Sequence, residues 1–375
     1  MLARWTCLAA ALTGCSFSHG VAVDPTIEDG HIDDIDAPPA DARPDTPPGA
    51  TCYGTGLFVD CYEPGTQPTN SDTLSSGMID TSNASNCTRT VPQSNGPEIC
   101  LRTAVAITVN GYVRFKGSRP LVLLATSSIT ITTAGTLDVS SFRNDVGAGG
   151  DTGPCANVGN GSADLSPSTN AGAGGAGAGG FGTPGGTGGS SNAGGGGGGG
   201  TTALTMIRGG CAGGKGGTSN FGAGGDGGHG GGGVYLIAGS SITVVGTIKA
   251  NGSGGNGGIY KSGGGGAGSG GLVAFDAPTL TITGTVYANG GGGGEGGGDN
   301  RTGENGSDPS AYNQRAGGGN SRLSGGDGGS GSVFANSGAG GGTANNGAGG
   351  GGGGAGRIKV YQASVPTGKL SPPAN

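Results

Sequence analysis

Three stretches of the chain share one pattern of apolar and polar positions. Residues 121–141, 234–252 and 272–290 each contain a continuous apolar strand, a turn and an alternating strand that ends in small polar residues. Residues 106–117 match the second half of this pattern, and residues 357–366 match a truncated copy. The aligned columns are Ile129, Ile242 and Leu280; Ile131, Val244 and Ile282; Leu137, Ile248 and Val286; and, at the bend, Gly135, Gly246 and Gly284.

The pattern predicts an all-β fold. Continuous apolar strands are typical of burial on both faces, whereas alternating strands are typical of burial on one. A unit of this kind cannot bury its apolar face alone, so we expect the copies to stack into a parallel β-helix-like solenoid. Long Gly-rich insertions, residues 145–233, 253–271 and 290–356, would leave the stack at one corner. Because the strands are also compatible with hairpins, an antiparallel β-sandwich is the alternative.

Glycine changes this picture, since the 375 residues include 97 Gly and only 11% are charged. A collagen helix is excluded because Gly does not recur at every third position beside Pro. The glycine tracts are either mobile loops or extended helices of three residues per turn that pack side by side through their backbone amides. The absence of charge in SSNAGGGGGGG favours packing over solvation. We therefore expect partial order.

The first fifteen residues resemble a lipoprotein signal peptide. Arg4 precedes a short apolar run, and Leu12-Thr13-Gly14-Cys15 resembles the bacterial lipobox, in which the Cys is lipidated. An ordinary secretory signal is the alternative. Since Ser16 rather than Asp follows Cys15, we expect outer-membrane anchoring through lipid, with the protein either periplasmic or surface-exposed. The membrane is then one partner.

Three further regions follow the predicted signal peptide, residues 1–15. Residues 16–50 are rich in Asp and Pro and are typical of a disordered tether. We expect residues 51–105 to form a disulfide-bearing N-terminal cap and residues 106–375 to form a Gly-rich β-repeat domain.

The cysteines also indicate export. Of eight Cys, Cys7 would leave with the signal peptide and Cys15 would carry lipid, which leaves an even number for disulfides in an oxidising compartment. Proximity in the sequence favours the disulfides Cys52–Cys61, Cys87–Cys100 and Cys155–Cys211, although other pairings stay open. No CxxC pair is present, so we expect no zinc site. The disulfide candidates are Cys52, Cys61, Cys87, Cys100, Cys155 and Cys211.

Catalytic motifs are sparse. His229 is the one histidine beyond the predicted tether, and its Gly-rich setting, GGDGGHGGGG, is a poor support for a Ser-His-Asp site. No G-x-S-x-G motif occurs. Around Lys215, GGCAGGKGG resembles a phosphate loop, but Gly216 replaces the required Ser or Thr. We predict no catalytic residue and no cofactor.

Carboxylates could serve a polysaccharide-degrading enzyme, which needs paired acids. Asp138 and Asp276 are the candidates on the repeats, and we expect both to be solvated turn residues. Four carboxylates in Gly runs do not follow the GGxGxD order of calcium-binding repeats, so no metal is predicted. They are Asp226, Glu295, Asp299 and Asp327.

We expect a non-enzymatic, lipid-anchored structural or surface protein of adhesion type. Envelope polysaccharide or surface proteins are candidate partners, and the formal charge of −6 argues against nucleic acid. The alternative is a carbohydrate-binding or polysaccharide-degrading β-helix protein.

PLVLLATSSITITTAGTLDVSS, GGCAGGKGG and GGGGGGAGRIKVY, behind a lipobox and an acidic spacer, resemble a family of Gly-rich lipoproteins of myxobacterial type. The resemblance covers nearly the whole chain from Thr51. It implies the location and the repeat architecture, and it provides no catalytic residues to transfer.

The glycine column at the bend gives a first testable prediction. We expect Gly246→Val to lower the free energy of unfolding by about 1–3 kcal/mol, because a side chain at a stacked bend overpacks it. The same replacement at Gly197 should cost little if the heptaglycine is mobile. Thermal melts of both variants check this, and equal, negligible shifts would contradict stacked repeats.

Overall fold

The structure is a computed structural model, and its contacts divide the chain into residues 1–46 and 47–375. The predicted signal peptide, Cys15 and residues 16–47 of the predicted tether lie outside the described residues. The residues described are 48–156, 158–167, 172–320, 324–364, 366 and 368–375.

Strands dominate the described residues, which contain seventeen strands and one short 3-10 helix, Ala84–Asn86. The strands are β1 Thr51–Tyr53, β2 Asp60–Tyr62, β3 Asp72–Leu74, β4 Gly77–Asp80, β5 Arg89–Val91, β6 Ile99–Val109, β7 Tyr112–Lys116, β8 Leu121–Ile131, β9 Thr136–Asp138, β10 Gly233–Ala238, β11 Ser241–Val244, β12 Thr247–Lys249, β13 Leu272–Asp276, β14 Thr279–Ile282, β15 Thr285–Tyr287, β16 Arg357–Tyr361 and β17 Lys369–Ser371.

Two larger sheets and one small hairpin organise these strands. The first sheet has nine strands, β3, β5, β6, β8, β10, β11, β13, β14 and β16. The second has six, in the order β17-β15-β12-β9-β7-β4, while β1 and β2 pair separately. Strands of different repeat copies pair in parallel in both sheets. The all-β prediction is therefore confirmed, and the parallel pairing argues against the antiparallel sandwich.

The register of the sheets reproduces the columns read from the sequence. The column of the bend is also stacked: a Cβ built on Gly246 would lie 2.1 Å from the Gly135 oxygen, and one on Gly284 would lie 2.0 Å from the Gly246 oxygen. The alignment of the repeats is thus confirmed residue by residue. The paired columns are Ile129, Ile242 and Leu280; Ile131, Val244 and Ile282; and Leu137, Ile248 and Val286.

Burial follows the two kinds of strand. Every residue of β10 is buried, whereas buried and half-buried residues alternate along β11. One apolar cluster contains inward residues of both sheets, for example Leu123 and Leu137. A second cluster contains residues of β8, β10 and β13 together with Phe181 and Ile207, and Tyr53 packs against it. The first sheet is therefore covered on both faces along these strands, as the continuous apolar runs predict.

The expected boundary between cap and repeat domain, at 105/106, is not a structural boundary. Strand β6 runs through it and pairs with β8 along nearly its whole length. The alternation of β6 resembles that of the repeats only in its second half, which is why the sequence pattern placed the start of the repeats too late.

Three disulfides are present among the described residues, Cys52–Cys61, Cys87–Cys100 and Cys155–Cys211. They join the pairs that sequence proximity favours. The last one spans 56 residues of the longest glycine insertion, and a loop closure of this size contributes on the order of 4 kcal/mol in the entropy model. The buried Arg208 donates hydrogen bonds to both sulfurs of this disulfide at 3.2 Å.

The glycine insertions are ordered, and we call their described residues the glycine bundle (between 142 and 232, 250 and 271, and 288 and 356). Backbone amides in this bundle donate to carbonyls of other segments, with donors recurring at every third residue. Amides 252, 255 and 258 donate to carbonyls 289, 292 and 295 at 2.9, 2.9 and 2.8 Å. Three residues per turn is the period of the polyproline II helix. The expectation of order in the tracts is thus confirmed for these residues, and the period of the donors agrees with extended helices that pack side by side.

Close approach explains why these residues are glycine. A Cβ built on Gly255 would lie 2.2 Å from the Gly265 oxygen, and one on Gly257 would lie 1.9 Å from the Gly303 oxygen. Glycine costs roughly 0.5–1 kcal/mol relative to Ala in ordered structure. An intramolecular hydrogen bond contributes about 1 kcal/mol. One backbone hydrogen bond for each glycine is therefore about enough to offset the conformational cost of that glycine.

In the heptaglycine, residues 194–200, the positions that have room for a side chain recur at every third residue. A Cβ on Gly194 would lie 3.7 Å from the nearest atom, and one on Gly197 would meet nothing within 4 Å. At Gly200 the nearest atom is again 3.7 Å away. The residues between them would collide with neighbouring backbone. Gly197 is thus tolerant because it faces outward, although the tract itself is ordered.

Adjacent glycines of this tract provide a matched pair of variants. Gly196→Ala should lower the free energy of unfolding by about 1–3 kcal/mol, because its Cβ would lie 2.1 Å from the Gly159 oxygen. Gly197→Ala should be neutral or stabilise the protein by up to about 1 kcal/mol, since Ala restricts the unfolded chain. Thermal and denaturant melts of both variants check the expectation. Equal effects of the two substitutions would contradict an ordered helix of three residues per turn.

Candidate functional site

The outer face of the second sheet carries a column of polar and charged side chains. Arg114 of β7 lies opposite Asp138 of β9, Asp138 lies opposite Lys249 of β12, and Lys249 lies opposite Tyr287 of β15. Because side chains alternate between the two faces of a strand, the neighbours of these residues point into the core. Those inward neighbours are Val113, Leu137, Ile248 and Val286.

A cleft opens beside this column. It has a volume of about 300 Å³ and is lined by residues that include Asp138, Phe142, Lys249, Asn251 and Asp308, and we call it the Asp138 cleft. A second cavity, of about 410 Å³, is lined by Gly77, Met78, Tyr112, Arg114 and Phe142. Phe142 borders both cavities, so they form neighbouring parts of one surface.

Asp138 is held in a fixed orientation. Its carboxylate accepts a hydrogen bond from the Tyr112 hydroxyl at 3.0 Å and one from the Ser140 amide at 2.8 Å, and only 1% of the residue is exposed. Burial, followed by the charge of Asp138, raises the pKa of Tyr112 to about 12. The Tyr112 hydroxyl therefore stays protonated and donates at neutral pH.

The glycine bundle contributes another part of the lining, which includes Asp308. Asp308 accepts a hydrogen bond from the Gly254 amide at 2.7 Å, and burial raises the pKa of its carboxyl group.

On the second sheet, the Lys249 ammonium lies 6.0 Å from the centre of the Tyr287 ring. Burial is also the largest cause that raises the pKa of Tyr287, to about 12.

Arg114 lies between the sheet and the second cavity. Its guanidinium stacks over the Phe142 ring at 4.3 Å, and its Nη1 is 3.1 Å from Asp145, which also pairs with Lys116 at 3.0 Å. The Arg114 Nε and Nη2 atoms are buried and have no hydrogen-bond partner among the described residues. Buried donors without partners are uncommon in folded proteins.

The expectation that Asp138 and Asp276 are solvated turn residues is wrong for both. Asp276 is fully buried and accepts hydrogen bonds from the Thr55 amide at 2.6 Å, the Gly56 amide at 3.1 Å and the Tyr235 hydroxyl at 2.6 Å. It therefore attaches the N-terminal hairpin to the first sheet. The sequence could not reveal this, because Thr55 and Gly56 lie more than 200 residues away.

His229 has a carboxylate partner that sequence reasoning missed. Its Nδ1 lies 2.6 Å from Asp151, and the Gly230 amide donates to the same carboxylate at 2.7 Å. This hydrogen bond raises the pKa of His229. The nearby Ser253 hydroxyl accepts a hydrogen bond from the His229 backbone amide at 2.7 Å, which is not the contact of a catalytic triad.

Three of the four carboxylates in the glycine runs, Asp226, Asp299 and Glu295, have partners within the glycine bundle. Lys215 pairs with Asp226 at 3.0 Å and Lys261 with Asp299 at 3.1 Å, and Glu295 accepts from the Glu304 amide at 2.9 Å. Within the described ranges, no group of three or more His, Cys, Asp or Glu side chains is arranged to hold a metal ion.

Comparisons with known proteins add nothing to the geometry: no protein-family model, curated protein or solved structure matches the chain. The resemblance to Gly-rich lipoproteins of myxobacterial type therefore stays a prediction.

The residues of the Asp138 cleft were only partly predictable. Asp138, Lys249 and Tyr287 each follow an apolar residue of one aligned column, so the repeat alignment could have placed them together on the outer face. Asp308 belongs to an insertion and Phe142 lies just before one, and these segments carry no periodic pattern of side chains. Both residues could be found only from the structure.

The His229–Asp151 pair predicts a pH-dependent stability. A histidine whose folded pKa is raised stabilises the folded state fully below its unfolded pKa, about 6.5, and this contribution is lost as pH rises through the folded value. The melting temperature of the wild-type protein should therefore exceed that of His229→Gln most at pH 5, below the unfolded pKa of histidine. The difference should shrink by pH 9. A difference that is equal at both pH values would show that the ion pair does not form.

Proposed function

We propose that the protein is a lipid-anchored, extracytoplasmic structural or surface protein of adhesion type, without catalytic activity. The observation that carries the proposal is the glycine bundle, in which backbone amides of distant segments bond to one another throughout the insertions. Such a bundle gives a large ordered body with few side chains that could perform chemistry. Several charged groups in its glycine runs pair with one another, as Lys215 does with Asp226.

The proposed architecture is a parallel β-helix-like solenoid with Gly-rich insertions. In each coil, a strand of the first sheet leads into a strand of the second, and a glycine segment returns to the start of the next coil. The parallel registers support this path, since β8 pairs with β10 and β9 pairs with β12 in the order that successive coils require. The stacked bends at Gly135 and Gly246 support it as well.

The outer membrane is the proposed location, with the protein held by lipid on Cys15 and facing the periplasm or the cell surface. Three disulfides support an oxidising compartment. None of the helices among the described residues has the length and apolar character that membrane crossing requires. Acyl chains on Cys15 would supply the anchor, since each buried methylene adds about 0.8 kcal/mol.

Envelope polysaccharide and surface proteins are the proposed partners. The alternative class, a carbohydrate-binding or polysaccharide-degrading protein, would depend on the Asp138 cleft, which brings Asp138 and Asp308 into one cavity. A glycan array on the full chain tests for carbohydrate binding, which is compatible with the non-catalytic proposal, and a polysaccharide-degradation assay tests for the enzyme. Release of new sugar ends by the wild type, abolished by Asp138→Asn, would contradict the non-catalytic proposal.

Metabolic labelling with palmitate tests the anchor. The wild-type protein should incorporate label and sediment with membranes, whereas Cys15→Ala should do neither. Cys7→Ala is the matched control and should label like the wild type, because Cys7 lies within the predicted signal peptide. Equal labelling of wild type and Cys15→Ala would refute lipid anchoring at this residue.

A further inference from the structure

We infer that the Asp138 cleft, together with the adjoining cavity at Tyr112 and Arg114, binds a neutral sugar unit of a glycan. The inference rests on the proposed function, in which envelope polysaccharide is a partner, and deepens it by naming the class of sugar and the surface that binds it. It depends on the side chains of the second sheet and not on membrane anchoring.

The charges of the cleft select the ligand class. Carboxylates of Asp138 and Asp308 line it together with the Lys249 ammonium, and the Arg114 guanidinium lines the adjoining cavity. Because the two carboxylates and the two cations oppose each other, the site favours neither an anion nor a cation. Hydroxyl groups both donate and accept hydrogen bonds, so a polyhydroxylated neutral molecule can satisfy both kinds of group.

Two polar groups are already oriented for such a ligand. The Asp138 carboxylate is fixed by Tyr112 and by the Ser140 amide, so little entropy is lost when a hydroxyl donates to it. The buried Arg114 Nε and Nη2 atoms lack partners among the described residues. An oxygen of the ligand that reached either donor would remove the cost of leaving it unpaired.

Apolar surface completes the site. Tyr112 is 48% exposed and Met78 is 57% exposed, although both lie on strands of a well-packed sheet. Together with Phe142 they line the second cavity. The C–H face of a sugar ring can pack on an aromatic ring while its hydroxyls reach polar groups at the edge, as amphipathic ligands do in pockets with a few placed polar groups.

The size of the site agrees with a short stretch of glycan. Each cavity, of about 300 and 410 Å³, is at the lower end of the roughly 300–1,000 Å³ usual for small-ligand pockets. Because Phe142 borders both, two adjacent sugar units could occupy the two cavities. A glycan chain bound in this way would run across β7, β9 and β12.

Binding is measured with the full chain in detergent, against a panel of neutral and uronic-acid oligosaccharides, first on an array and then by titration calorimetry. We expect a neutral oligosaccharide to bind, and Tyr112→Ala and Asp138→Asn each to weaken binding about tenfold or more. Tyr260→Ala is the matched control, since Tyr260 is 42% exposed but lies in the glycine bundle. Melting temperatures establish that each variant is folded.

Three results would overturn the inference. They are the absence of binding by any oligosaccharide, binding that Tyr112→Ala and Asp138→Asn leave unchanged, and binding confined to uronic-acid chains and weakened by Lys249→Met. Lys215→Met is the control for the last variant, because Lys215 pairs with Asp226 away from the cleft. These results leave the palmitate experiment unaffected, so failure of the ligand site and failure of the anchor are distinguishable.

Discussion

Hydrogen bonding between backbones that lack side chains is the interaction on which this structure depends. A buried amide or carbonyl without a partner costs as much as a lost hydrogen bond, so a long segment can be ordered only if its main chain is paired. The glycine segments have neither the ladder of a sheet nor the internal bonds of an α-helix. They pair with one another because the absence of Cβ lets them approach within hydrogen-bonding distance, as Gly174 does with Ser162 at 3.0 Å.

This pairing is continuous with the sheets, which determines where each glycine segment lies. The ladder of the second sheet extends into the bundle through the Ser141 amide, which donates to the Asn251 carbonyl at 2.9 Å, and the Gly252 amide, which donates to the Asn289 carbonyl at 2.9 Å. Side chains add a second ladder, in which the Asn251 side chain accepts from the Asn289 amide at 2.9 Å. The order of the strands therefore sets the order of the glycine segments.

The sequence predicts the fold correctly where each repeat copy places an apolar side chain at the same core position. Ile129, Ile242 and Leu280 share a column because each fills the same core position, and this periodicity is visible without coordinates. The bundle repeats a backbone contact instead, so its segments carry no side chains that identify their neighbours. The partners of Asp276 and His229 could not be predicted either, because Thr55 and Asp151 lie far from them in the sequence and outside the aligned columns.

The location of the candidate site follows from this difference between the sheets, which carry side chains, and the glycine bundle, which carries few. The first sheet is covered on both faces along β8, β10 and β13, and the glycine bundle has few side chains with which to recognise a ligand. The outer face of the second sheet is different, because its strands present Tyr112, Asp138 and Lys249 from a packed support. Rigid elements hold binding groups more accurately than loops do. The second sheet therefore offers a rigid outer face on which polar and aromatic side chains of successive strands lie next to one another.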